Sequence, residues 1–317
     1  MQKHELVSLP GAEKIKFKQA FIERYSALTD WNAFRKYSLS YLRKSIRVNL
    51  LKTTVKRVKD LLADWKLEAI PWCREGFFIE HKKEERFDIG NTEAHFLGYI
   101  FVQEAASMIP PVVLDPKPRE FVLDMCAAPG SKTTQIAAMM QNTGLIIAND
   151  VTVDRIKLLG MNLQRCGVRN HIITMMPGQS IKGVEFDRIL VDAPCSATGA
   201  IRKSLRVIKE WNPKAIKRLS GLQKKLVCNA FQLLKPKGTL VYSTCSVEPE
   251  ENEEVVDFLL KRFSNAEVER IKLKINKSEP ITKFENKEYS DEVKKCLRIW
   301  PQDNDTEGFF VAKIVKK

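Results

Sequence analysis

Asp124-Met-Cys-Ala-Ala-Pro-Gly-Ser-Lys-Thr-Thr-Gln-Ile-Ala137 is the stretch on which the fold turns. Before it, Phe121-Val-Leu123 is short and continuously apolar, the pattern of a strand buried on both faces of a parallel sheet. After it, Thr133 to Met140 carries helical spacing. The loop between them therefore sits at the carboxyl end of a strand. In open α/β sheets ligands bind at that edge, because helix N-termini and unpaired strand-end groups gather there. Ala127-Ala128-Pro129-Gly130 also makes the turn small-walled, which a tight βα turn does not by itself require.

The next strand, Gly144-Leu-Ile-Ile-Ala148-Asn-Asp150, ends on a carboxylate roughly 20 residues past the loop glycine, the step at which an acidic group reaches ribose hydroxyls. A nucleoside cofactor follows from that pairing. No G-x-G-x-x-G lets the backbone approach a pyrophosphate, which argues against NAD and FAD. Gly130-Ser-Lys-Thr133 is not a Walker A loop, since Gly does not directly precede Lys132 and Met125 stands where the earlier glycine is needed. A nucleoside without phosphates fits best, and S-adenosyl-L-methionine is the common one.

From Glu120 onward, strand and helix patterns alternate over 121–124, 131–140, 145–150, 153–166, 171–175, 187–192, 213–234, 239–244 and 252–263. Such alternation means an α/β, doubly wound, mostly parallel sheet of Rossmann-like type. Gly308-Phe-Phe-Val-Ala-Lys-Ile314 reads as an edge strand. Upstream lie two helical segments within 12–45, a strand from Ser45, a helix from Thr53, and strand-like 68–72 and 76–79. A further strand, 96–102, leads into a helix over 103–109, with Pro110, Pro111, Pro116 and Pro118 punctuating the passage to Phe121. The expected division is a small α+β domain over 1–115 and a larger domain over 116–317.

The chain has 317 residues, 44% of them hydrophobic, which suffices for a sizeable core. No apolar run reaches membrane-spanning length and Met1-Gln-Lys-His-Glu5 opens no signal peptide, so a cytoplasmic protein is expected. The seven cysteines are scattered and form no C-x-x-C pair, so neither a disulfide framework nor a metal site is indicated. Net charge is +14 and the basic residues are bunched. One run is Arg35, Lys36, Arg43, Lys44, Arg47, Lys52, Lys56, Arg57 and Lys59, interleaved with Trp31, Phe34, Tyr37 and Tyr41. A second runs from Arg202 and Lys203 to Lys224 and Lys225. A solvated helix face explains one run; two favour a nucleic acid partner.

Phe186-Asp-Arg-Ile-Leu-Val-Asp192-Ala-Pro-Cys195 and Thr239-Leu-Val-Tyr242-Ser-Thr-Cys245 both end on a thiol at the expected ligand edge. Either alone would pass as a small buried residue. Together, beside a methyl sulfonium, they suit one reaction. Carbon 5 of a pyrimidine becomes nucleophilic once a thiolate adds to carbon 6, with a proton or hydrogen bond at N3 from Asp192 and Lys132 holding the base. A second cysteine can then remove the hydrogen from carbon 5.

At these motifs the chain resembles the Nop/Sun-type RNA 5-methylcytosine methyltransferases, most closely the archaeal members that act on tRNA. The likeness runs from Arg47-Val-Asn-Leu-Leu-Lys-Thr53 through Gln103-Glu-Ala-Ala-Ser-Met108, Asp124 to Thr134, Asp192-Ala-Pro-Cys-Ser196 and Tyr242-Ser-Thr-Cys-Ser246 to Glu307-Gly-Phe-Phe310. It implies that Cys245 is the nucleophile, that Cys195 assists product release, and that tRNA is bound by a monomer without metal. It also places Cys126, Ala127, Ala128, Pro129, Gly130, Ser131, Lys132, Asp150, Arg155 and Asp192 around S-adenosylmethionine. Two departures, Met175-Met-Pro177-Gly178 in place of an Asp-Gly and Ser131 in place of a glycine, imply weaker cofactor binding. Left open are methylation of rRNA or DNA, and an RNA-binding protein that keeps a decayed methyltransferase fold.

Overall fold

Short apolar runs of the sequence become the strands of two sheets in the computed structural model, which describes residues 6–82 and 88–317. The Met1–Glu5 opening lies outside the described residues. The first sheet holds β1 (Ser45–Val48), β2 (Trp65–Ala69), β3 (Gly76–His81) and β4 (Ile100–Val102) in the antiparallel order β2-β3-β1-β4. The second contains β5 (Phe121–Asp124), β6 (Leu145–Asp150), β7 (His171–Met175), β8 (Phe186–Asp192), β9 (Leu234–Thr244) and β10 (Ala266–Glu269). A two-stranded hairpin, β11 (Lys283–Phe284) with β12 (Lys287–Glu288), stands apart, and β13 (Leu297–Ile299) and β14 (Phe309–Lys316) complete the second sheet.

The order of the large sheet is β10-β14-β9-β8-β5-β6-β7, with β13 alongside β14. The pairs from β9 to β7 are parallel, as the alternation required. The chain runs outward from β5 to β7, then returns to β8 on the other side of β5. That reversal places a crevice at the carboxyl ends of β5 and β8, where the quoted loop and Asp192 lie.

Local chemistry explains the boundaries. Gly130 has φ +104° and starts the helix Ser131–Met139; a Cβ there would meet the Leu159 side chain at 3.1 Å. Asn212 caps Pro213–Gln232 by accepting from the Lys214 amide, with proline at the first helical position. Pro110 and Pro111 are likewise inside a first turn, that of Ile109–Leu114. The helix expected over 103–109 is instead a single 3-10 turn, Ala106–Met108, running into this later helix. Proline's missing N–H has no partner to lose in a first turn.

The tail strand corrects the reading of an edge. β14 pairs with β9 on one side and with β10 and β13 on the other, and Phe309 to Ala312 are all buried. The true edge is β10, only four residues long and half acidic, whose Glu269 and Glu267 pair with Lys313 and Lys317. Its charge hid it from hydrophobic patterning and protects the exposed edge from pairing further. Of the aromatic residues read as stacking platforms, Phe34 is core and Trp31 and Tyr37 are half-buried. Phe34 is fully buried, and with Tyr25, Phe21 and Trp31 it packs against Trp211 and Trp300. Of that group Tyr41 remains exposed.

Candidate active site

Four parallel strands bring the site together at their carboxyl ends. β5 ends on Asp124, β6 on Asp150, β8 on Asp192, and Cys245 follows β9 directly. The register sets Asp192 opposite Ser243, so the two cysteine loops leave neighbouring strands side by side. The Cys195 and Cys245 sulfurs lie 3.4 Å apart. Cys245 lines a cleft of about 250 Å³, whose wall also takes in Cys126 to Pro129, Ser131, Lys132 and Asp192.

Lys132 and Asp192 form the charged centre of the cleft. Lys132 Nζ donates to Asp192 Oδ2 at 2.7 Å and to Ser107 Oγ at 2.9 Å, while Ser243 Oγ donates to Asp192 Oδ1 at 2.8 Å. Burial works to lower the ammonium's pKa, but the Asp192 charge and hydrogen bond outweigh it and the net shift is upward. Lys132 is thus a fixed, protonated donor. The Cys195 thiol is pushed well above the ordinary thiol range, first by its hydrogen bond with Cys245 and then by burial. Burial also raises Cys126.

Gly130, Asp150 and Arg155 lie behind this wall. Asp150 accepts from the Ala128 amide at 3.0 Å and the Val151 amide at 2.8 Å. Arg155 meets its two oxygens at 2.8 and 3.1 Å and also donates to the Ala128 carbonyl at 2.9 Å. The expected ribose-reading carboxylate is therefore already engaged as an ion pair that braces the loop. Met175, Met176 and Pro177 are exposed at the end of β7, and none brings a carboxylate there.

Other groups at the cleft carried no role in the sequence reading. Glu307 is buried and Glu104 half-buried on its wall, and the Glu307 amide donates to Glu104 Oε1 at 3.2 Å. Burial and then the neighbouring Glu307 charge push Glu104 up to about 8. Arg47, counted above with the RNA-facing charges, is instead buried: it donates to Gln103, to the Ser131 carbonyl at 2.7 Å and to Thr134 Oγ1 at 2.8 Å. Arg202 is also buried, in an ion pair with Asp305. The sequence signal for Arg47, Glu104 and Glu307 was their place in the motifs around Arg47, Gln103 and Glu307, whereas Arg202 carried only its place in the second basic run.

Residues 111–315 match the family described as 16S rRNA methyltransferase RsmB/F, and residues 17–105 match the N-terminal domain of 16S rRNA methyltransferase RsmF. The chain belongs to the RsmB/F methyltransferase family. It is 50% identical over 305 residues to the tRNA (cytosine(49)-C(5))-methyltransferase of Pyrococcus abyssi, covering 95% of this chain and 97% of that one. It is 45% identical over 285 residues to the ribosomal RNA small subunit methyltransferase F of Photobacterium profundum, of which it spans only 58%. A methyltransferase homolog from Pyrococcus horikoshii superimposes with a TM-score of 0.85 at 37% identity, covering 98% of both chains. The protein is accordingly an S-adenosylmethionine-dependent RNA methyltransferase of the Nop/Sun type.

The cleft fits the cofactor of an RsmB/F enzyme. Small side chains at Ala127 and Ala128 leave room beside it for a nucleoside, while Asp192 on its wall and Asp150 behind the loop are each already paired with a cation, Lys132 and Arg155. Among the described residues no helix is long and apolar enough to cross a membrane, and no three side chains are grouped to hold a metal ion.

Proposed function

We propose that the protein transfers a methyl group to carbon 5 of a cytosine in tRNA, at position 49 as the name of its 50% identical relative states. The observation that carries this reading is the pair of sulfurs 3.4 Å apart beside the Lys132–Asp192 ion pair. S-adenosylmethionine supplies an electrophilic methyl group when bound, with Cys126 to Lys132 forming its pocket and Asp150 and Arg155 bracing the loop from behind. Cys245 Sγ adds to carbon 6 of the base while N3 takes up a proton or a hydrogen bond. The donor at hand is the Lys132 ammonium, held in place by Asp192. Once carbon 5 carries the methyl group, Cys195 removes its hydrogen, the double bond re-forms, N3 returns its proton to Lys132, and Cys245 leaves.

The target base has to leave its stack to meet these groups. The N-terminal part over 1–115 would hold folded RNA by shape and phosphate charge while 116–317 carries out the chemistry. Exposed Lys56, Arg57 and Lys59 on one side and Lys214, Lys217 and Arg218 on the other supply that charge. The enzyme would act as a monomer in the cytoplasm.

Two variants test the assignment with tritiated donor and unmodified tRNA. Cys245→Ala should give neither adduct nor product, whereas Cys195→Ala should accumulate protein bonded to RNA through Cys245. Methylation by Cys245→Ala would overturn the nucleophile. Bisulfite sequencing after incubation with tRNA and with small-subunit rRNA decides the substrate, rRNA being the competing reading that the bacterial relatives' name favours.

A further inference from the structure

One buried carboxylate joins the two cysteine loops, and no step above uses it. Glu251 is fully buried in the turn Pro249–Glu251 that follows β9. Its oxygens accept from the Ser196 amide at 3.0 and 3.3 Å, from the Ser196 hydroxyl, and from the Gln223 amide at 3.1 Å. Gln223 also donates to the Pro194 carbonyl at 2.9 Å. Ser196 Oγ lies 3.1 Å from Ser246 Oγ, which is 3.2 Å from Thr198 Oγ1. The residues flanking Cys195 and the one after Cys245 are thus tied to a single carboxyl group and its partners; burial raises the pKa of Glu251, and the hydrogen bonds from Ser196 and Gln223 work against that rise to favour its charged form. Neutral acceptors would tie loops as well, and burying a charge is costly even when it is hydrogen-bonded.

The charge has an asymmetric effect on the two sulfurs. Cys245 shares its cleft with the Lys132 ammonium. Around Cys195 stand Cys245 itself, Glu251 and the Tyr242 hydroxyl, with Asp192 three residues earlier at the end of β8; the Ala197 amide favours an anion there.

We propose that Glu251 is the positioning residue that divides the work of the two thiols: it pins Cys195 against Cys245 and reserves the first ionisation for Cys245. The proposal rests on Cys245 being the nucleophile. Cys195 keeps its proton while Cys245 is a free thiolate, because the hydrogen bond and the charge of Cys245 both oppose a second anion, and Glu251 adds to them. When Cys245 has become a thioether those two effects vanish and the Cys195 proton passes to water. The resulting thiolate takes the proton from carbon 5, the C–H electron pair becomes the carbon 5–carbon 6 double bond, and the C–S pair departs with Cys245. Glu251 makes that thiolate a stronger base than it would otherwise be.

Iodoacetamide alkylation followed at each cysteine by peptide mass spectrometry across pH tests this without RNA or methyl donor. In the wild type Cys195 should need a higher pH than Cys245 to be alkylated. Glu251→Gln keeps an oxygen for Ser196 but removes the charge, so the Cys195 midpoint should fall by about one unit, a factor of about ten in thiolate at fixed pH. Ser196→Ala loosens the loop and keeps the charge, so the Cys195 midpoint should not fall. Equal midpoints in the wild type, an unmoved Cys195 midpoint in Glu251→Gln, or the same fall in Ser196→Ala would each overturn the proposal. If Glu251→Gln does not fold, equal wild-type midpoints still overturn the proposal, and Gln223→Leu, which strips one donor from the carboxylate and leaves its charge less compensated, should raise the Cys195 midpoint; an unmoved midpoint there would overturn it. Failure here leaves the methyltransferase reading intact, whereas methylation by Cys245→Ala sinks that reading without changing the measured midpoints.

Discussion

Lys132 shows how a single side chain is recruited by its surroundings. Its ammonium is buried, yet it stays protonated because Asp192 lies 2.7 Å away. Asp192→Asn removes the charge while keeping a similar shape, so the ammonium loses both its anchor and much of its preference for the protonated form. Single-turnover methyl transfer should slow by about 10²–10⁴-fold, the usual range for a lost proton-transfer partner. Cofactor affinity, measured by calorimetry with S-adenosylhomocysteine, should change far less. A variant that loses cofactor binding and retains its transfer rate would refute that division. The identity of these residues was legible because Asp192 and Lys132 end a strand and open a helix in recognisable motifs. The state of Asp150 was not, since its engagement by Arg155 depends on a helix turn five residues later folding back over the loop.

Among the elements, β1 and the helix Ser131–Met139 are joined by Arg47, which reaches from one sheet to the first turn of the cofactor-side helix. In sequence it is one basic residue among nine between Trp31 and Lys59. Removing it strands buried acceptors, so Arg47→Ala should cost roughly 2–4 kcal/mol in urea unfolding. It should also weaken S-adenosylhomocysteine binding, because Ser131 and Thr134 lose their tether. The salt dependence of tRNA binding separates the two kinds of basic residue. Lys56→Ala should lower the slope of log K against log salt by about one, and Arg47→Ala should leave it unchanged; the reverse pattern in anisotropy titrations would refute the assignment of Arg47 as a clasp. Close approach also matters at Gly199, where a Cβ would lie 2.2 Å from the Gly308 carbonyl oxygen, so the start of β14 can press against the cysteine loops.

Across the whole molecule, the cleft stores acidic groups that prefer to be neutral. Glu104 is raised to about 8 and Asp124 to about 7, both chiefly by burial, and burial raises Glu307 as well. A carboxyl raised by folding binds more protons in the native state, so its stabilising share is complete below the ordinary carboxylate range and is lost as pH rises toward 8. The melting temperature of the wild type should therefore fall across that window. Glu307→Gln removes one charge of the pair and should flatten the decline, by an amount on the order of 1–2 kcal/mol at the upper end; an unchanged slope in thermal melts would refute the coupling. By itself the sequence determined the doubly wound sheet, the place of the ligand edge and the two strand-end thiols, because strand burial, helix periodicity and small-residue turns are local and leave their mark in adjacent residues. Only the tertiary structure decided that β14 is interior, that Phe34, Arg47 and Arg202 face inward, and that Glu251 links Cys195 to Cys245. Each of those depends on partners far away along the chain, and the burial and charge they impose follow from packing that no local pattern records.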